Sequence, residues 1–135
     1  MARILVVDDD PMICEALELF LSSDGHQVVT APEGETALAR VGRSPVDIAI
    51  VDILMPVKEG FETIRDLRRV RPELCVIAMS GGSMNRKTDF LTMAVKLGAD
   101  KALPKPVESQ VLRRTIDNCL GPFKRDWCPA ATDLS

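Results

Sequence analysis

A doubly wound α/β fold is the architecture this sequence predicts: a five-stranded parallel sheet with helices on both faces. Three observations carry the prediction. Short apolar runs and amphipathic segments alternate from one end of the chain to the other. One run, Ile48-Ala49-Ile50-Val51-Asp52-Ile53-Leu54-Met55-Pro56, is apolar at both alternating positions, as a central strand covered on both sides must be. The connections are short, and with right-handed crossovers that makes the strands parallel. The 135 residues, 46% of them hydrophobic, suffice for one core and one domain.

The elements follow in order. Ile4-Leu5-Val6-Val7 is the first strand, and Asp8-Asp9-Asp10 leads to Pro11, where an aspartate followed by proline opens a helix with Ile13, Ala16, Leu17, Phe20 and Leu21 inward. Asp24-Gly25 ends it. Gln27 to Ala31 is the second strand, and Glu33 to Val41 a short helix with Ala37, Leu38 and Val41 inward, closed by Gly42. Asp47 leads into the strand that ends at Asp52. A loop through Val57-Lys58-Glu59-Gly60 precedes a helix from Phe61 to Val70, with Phe61, Ile64, Leu67 and Val70 on one face and Pro72 as its stop. Leu74 to Met79 is the fourth strand. Thr88 caps a helix carrying Phe90, Leu91, Ala94, Val95 and Leu97, ended by Gly98. Lys101-Ala102-Leu103 is the fifth strand, and Ser109 to Leu120 the last helix. From Gly121 to Ser135 the chain has two prolines and no period, so residues 121–135 read as a tail with no output domain, and residues 1–120 as the domain.

Composition narrows the function. A net charge of −3 with no basic stretch argues against direct binding to nucleic acid or to an anionic membrane. The densest basic patch, Arg65-Arg68-Arg69-Arg71, suits the wet face of a helix. Met1-Ala2-Arg3 runs straight into a four-residue apolar strand, too short for a signal core or a span, so a cytoplasmic location is expected. The four cysteines form no CxxC pair. Cys14 and Cys75 read as small core residues, and Cys128, in the tail, as the one exposed to oxidation.

Side chains from four strands converge on the carboxyl edge of the sheet, where open α/β folds keep their chemistry. They are Asp8 and Asp9 after the first strand, Asp52 after the third, Ser80 after the fourth and Lys105 after the fifth. Carboxylates gathered there repel unless a cation sits among them, and an all-oxygen set suits Mg2+. Asp52 is the candidate nucleophile toward a phosphoryl group, with Asp9 and Asp8 as metal ligands and Lys105 and Ser80 facing the phosphoryl oxygens.

Leu5-Val6-Val7-Asp8-Asp9, Val51-Asp52-Ile53-Leu54-Met55-Pro56, Ser80-Gly81 and Lys105-Pro106 together resemble the receiver domain of bacterial two-component response regulators. The resemblance covers about residues 3 to 120 and implies the flavodoxin-like strand order 2-1-3-4-5. It implies phosphorylation of Asp52 by a sensor histidine kinase, a histidine phosphotransfer protein or small acyl phosphates, with Mg2+, or Mn2+ in its place, held by Asp8, Asp9, Asp52 and the backbone carbonyl of Leu54. Ser80 becomes the switch hydroxyl and Lys105 the phosphate-contacting lysine. The partners expected are the phosphodonor and a downstream protein, in a stand-alone signalling protein that is no enzyme beyond its own phosphotransfer and dephosphorylation.

Three departures bear on the output. Ala102 stands where the family usually has the swinging Tyr or Phe, Val107 where Phe is common, and the loop after Ser80 is a few residues longer. The loop Ser80 to Lys87, with its two glycines, is therefore expected to carry the switch. Leu54 and Gly82, at positions where polar side chains help place the attacking water, imply a long-lived acyl phosphate. Two alternatives compete: a haloacid-dehalogenase-like phosphatase using Asp8, for which Met12 is wrong and Asp52 has no role, and a flavodoxin-like binding module, whose phosphate loop is here three acids.

Overall fold

Five strands, β1 (Arg3–Val7), β2 (Gln27–Ala31), β3 (Ile48–Asp52), β4 (Cys75–Ser80) and β5 (Lys101–Pro104), form one sheet in the order β2-β1-β3-β4-β5. Every pairing is parallel. The computed structural model describes residues 2–53, 59–80, 92, 94–105 and 107–120. Four helices are complete within them: α1 (Pro11–Ser23), α2 (Gly34–Arg43), α3 (Glu59–Val70) and α4 (Ser109–Cys119). Of the helix expected from Thr88, residues 92 and 94–96 are helical, Leu97 and Gly98 form a turn, and 88–91 and 93 lie outside the described residues, as do the 81–87 loop and the tail.

The central strands are buried on both faces because their alternate residues serve different cores. Leu5, Val7, Ala49, Val51, Val76 and Ala78 pack on the α2–α3 side. Ile4, Val6, Ile48, Ile50, Ile77 and Met79 pack on the other, against Leu21 of α1 and Leu112 and Ile116 of α4. Each fully buried Ile or Leu contributes roughly 1.5–3 kcal/mol, so the two-sided pattern of β3 is what holds it at the centre.

Local signals set most boundaries. The Asp10 carboxylate caps α1 by accepting from the Met12 N–H at 2.9 Å, with Pro11 opening the helix. Elsewhere the structure corrects the reading. On α1 the buried stripe runs through Cys14 and Leu21 with Leu17 and Phe20 beside it, and Ala16 faces solvent. The Cys14 thiol donates to the Asp8 carbonyl at 3.3 Å, which turns that face toward the sheet. Helix α2 runs through Gly42 to Arg43 and stops where Ser44 turns extended, since a glycine ends a helix only where the chain needs its conformation. Helix α3 begins two residues earlier than its apolar spacing indicates, and Val70 is exposed.

Arg68 also departs from expectation. Instead of lying on a wet face, its guanidinium donates to the carbonyls of Pro72, Leu74 and Gly98 and to Asp100 Oδ2, the last at 2.6 Å. Asp100 Oδ2 accepts in turn from the Val76 N–H at 2.7 Å. This clamp fixes the entry of β5 at the end of the sheet away from the acidic edge. Gly98, at φ +124, presents its carbonyl to Arg68 through a backbone conformation that side chains resist.

Cys75 is likewise more than a small core residue: it is joined to Cys119 in a disulfide. No short motif announces a pair 44 residues apart in sequence.

Candidate functional site

The parallel register brings the strand ends level. Val7 of β1 lies beside Val51 of β3, and Asp52 beside Met79 of β4, so the residues that follow these strands meet at one edge. Asp8, whose N–H donates to the Ala31 carbonyl, and Asp52 are both buried there, while Asp9 is exposed. One carboxylate oxygen from each of the three lies within 4.8 Å of the others.

Lys105 completes the group. Its Nζ is 3.0 Å from Asp8 Oδ2 and 3.2 Å from Asp52 Oδ2, with its side chain only 18% exposed. The second oxygen of Asp8 accepts from the Asp10 N–H at 2.9 Å. Burial pushes the Asp8 carboxyl above its ordinary range, more than the Asp10 N–H and the Lys105 ammonium pull it down. Burial alone would lower the Lys105 pKa, but its hydrogen bond to Asp8 and the charges of Asp52 and Asp8 together outweigh that and raise it.

A divalent cation fits this donor set. Three carboxylates face one ammonium, and the oxygens are hard donors, at a spacing that a single oxygen-coordinated ion bridges. A cleft of about 340 Å³ opens beside the acids, lined by Asp8, Asp9, Glu15, Glu18 and Thr30 among others. Its acidic walls favour a cation over a bare anion.

The sequence-predicted residues divide three ways. Asp8, Asp9, Asp52 and Lys105 are brought together. Ser80 ends β4 with its backbone level with Pro104, the residue before Lys105; its side chain, like the whole of Leu54, lies outside the described residues. Ala102 sits on β5 level with Ala78, half-buried on the α2–α3 side of the sheet.

One contributor was missed. Gly60, in the first turn of α3, packs so closely on the end of β3 that an added Cβ would collide with the Ile53 Cα and lie 2.7 Å from the Asp52 carbonyl oxygen. Sequence reading put this glycine in a loop. Its position just before an apolar helical stripe was the available signal.

The response regulator receiver domain model matches residues 4–117 of this chain. The chain belongs to the response regulator receiver family. It is 40% identical over 103 residues to the response regulator GtcR of Aneurinibacillus migulanus, a match covering 76% of this chain but 41% of that protein. It therefore spans less than half the length of that regulator. The fold is similar to a receiver domain from Clostridium thermocellum, with a TM-score of 0.83 at 30% identity, covering 94% of this chain and 100% of the other. A CheY-like receiver from Methanospirillum hungatei JF-1 gives the same TM-score at 27% identity, over 94% and 99% of the two chains. The expected strand order 2-1-3-4-5 is the observed one. Receiver domains are signalling phosphoacceptors, which is the role this fold carries. Among the described residues no helix is long and apolar enough to cross a membrane.

Proposed function

We propose that Asp52 accepts a phosphoryl group from a histidine kinase or histidine phosphotransfer protein, with Mg2+ as the metal, and that the phosphorylated domain signals by binding a downstream protein or passing the group on. The supporting observation is the Lys105 ammonium held between Asp8 and Asp52, at 3.0 and 3.2 Å, beside the three converging carboxylates. A carboxylate oxygen of Asp52 attacks phosphorus, the bond from phosphorus to the donor nitrogen breaks, and the leaving imidazole keeps that electron pair. Lys105 stabilises negative charge on the phosphoryl oxygens throughout. Asp8, Asp9 and Asp52 would hold Mg2+, which when bound neutralises charge on those same oxygens. The Leu54 carbonyl, a Ser80 hydroxyl contact and the division into a receiver unit at 1–120 and a tail at 121–135 belong to the same reading. The domain catalyses only its own phosphorylation and dephosphorylation.

A phosphatase using Asp8 is less well supported. It gives no role to Asp52, which is buried at the same edge with Lys105 Nζ 3.2 Å from its Oδ2. The test is labelling with acetyl phosphate or a phosphorylated histidine donor. One phosphoryl group per chain is expected, dependent on Mg2+ and lost in Asp52→Asn. Labelling that persists in that variant, or that proceeds with chelator present, overturns the assignment.

A further inference from the structure

Two cysteines that no motif connects are brought together at the pole of the domain opposite the acidic edge. Cys75 is the first residue of β4 and Cys119 the last residue of α4. They are bonded, with Cα atoms 6.3 Å apart, inside the span that a disulfide bridges without moving the backbone. Both are buried in the α1–α4 core, at 7% and 1% exposure. Cys14 shares that core but is free. The pairing is selective, then, and a property of where β4 starts and α4 ends.

The link joins the sheet to the final turn of the last helix, the point at which the chain leaves the described domain. Helix α4 is otherwise held by Leu112, Thr115 and Ile116 and by the exposed Arg113–Asp24 ion pair at 2.8 Å. A covalent tie at Cys119 anchors the turn most prone to fray.

We propose that Cys75 and Cys119 form a reversible thiol–disulfide site that reacts with low-molecular-weight disulfides such as glutathione disulfide and, when oxidised, staples α4 to β4. Fraying of the last turn of α4 exposes Cys119. Its thiolate attacks one sulfur of the small disulfide, whose other sulfur leaves as a thiolate and takes up the proton that Cys119 gave. The Cys75 thiolate then attacks the Cys119 sulfur of the mixed disulfide, and the second small thiol leaves with the Cys75 proton. Two protein thiols are oxidised and one small disulfide is reduced to two thiols. Reduction by excess dithiol runs the same exchange backward.

The experiment uses the full chain, treated with glutathione disulfide or with dithiothreitol. A non-reduced peptide map is expected to join the Cys75 and Cys119 peptides, the linked pair about 2 Da lighter than the two reduced peptides together. It is expected to melt about 5–15 °C above the reduced form, because the tie removes freedom from the unfolded chain. Amide exchange at residues 115–119 slows with it. Cys75→Ala and Cys119→Ala, which keep small apolar groups in the core, each abolish the difference, whereas Cys128→Ser retains it. Because the mass and the peptide map are read on the wild-type chain, the test survives poor folding of a variant. Four thiols still open to alkylation after oxidation, a link running to Cys14 or Cys128, arrest at a mixed disulfide on Cys119, or equal melting of the two forms each overturns the proposal.

Discussion

Lys105 Nζ stands 3.0 Å from Asp8 Oδ2, so that the last strand of the sheet is tied through one ion pair to the residue that follows the first. The pair spans 97 positions in sequence, and the same ammonium lies 3.2 Å from Asp52. One cation therefore already serves two of the three carboxylates, and a metal ion entering this edge meets it as a competitor for Asp8.

Lys105→Ala is expected to bind Mg2+ at least as tightly as the wild type, since that competitor is gone. Labelling of Asp52 by acetyl phosphate should nevertheless slow by about 10- to 100-fold, through loss of charge stabilisation on the phosphoryl oxygens. Metal titration followed by labelling separates the two effects. A variant with weakened Mg2+ binding would show that Lys105 supports the metal rather than the phosphoryl group.

Asp8→Asn is expected to raise the melting temperature at neutral pH by about 2–6 °C. The folded pKa of Asp8 is raised, chiefly by burial, so the stability linked to its protonated form is fully present below its unfolded value near 3.8. That stability is lost as pH rises through the folded pKa. The amide replaces a charge that costs free energy to bury and can still accept from the Asp10 N–H. The gap between variant and wild type should close as pH falls into the carboxylate range. A variant less stable than wild type at pH 7 would mean that the Lys105 pairing outweighs the burial.

Gly60→Ala and Gly42→Ala should act in opposite directions. A Cβ at Gly60 meets backbone of Asp52 and Ile53, which cannot swing aside as a side chain tip can, so α3 must shift away from the end of β3. A loss of about 1–3 kcal/mol and slower labelling at Asp52 are expected. Nothing lies within 4 Å of a Cβ at Gly42, which sits inside α2, so alanine there should add about 0.5–1 kcal/mol. Urea melts of both variants check this, and a neutral Gly60→Ala would show that the close approach is not needed.

Met12→Lys tests whether the exposed start of α1 is where a phosphodonor docks. Met12 is 76% exposed at the start of α1, beside Glu15 and next to the acidic cleft, and Leu19 continues the exposed apolar ridge at 68%. Phosphotransfer from a histidine donor protein should slow several-fold with acetyl phosphate labelling unchanged. Equal slowing of both would assign Met12 to the pocket itself.

The residues of the acidic edge were readable because each follows a strand, and strand ends in a parallel sheet are collinear once the order is known. Asp8, Asp9, Asp52 and Lys105 needed only alternation and register to be brought together. The stripe of α1 was read one position off at Ala16, because helical spacing defines a broad arc and a single contact, Cys14 to the Asp8 carbonyl, chose its centre. Arg68 was misread for a related reason: charge patterning marks a residue as hydrophilic without saying whether water or a ring of carbonyls will satisfy it.

By itself, then, the sequence determined the fold class, the strand order through its family resemblance, and the four charged residues of the site, since these depend on local periodicity and on the ends of elements. Tertiary structure alone decided that Lys105 bridges Asp8 and Asp52, that Gly60 rests on the Asp52 carbonyl, that Arg68 locks the entry of β5, and that Cys75 meets Cys119. Each of those four joins separate elements at contact distance, and packing sets that distance, which no spacing within one segment encodes.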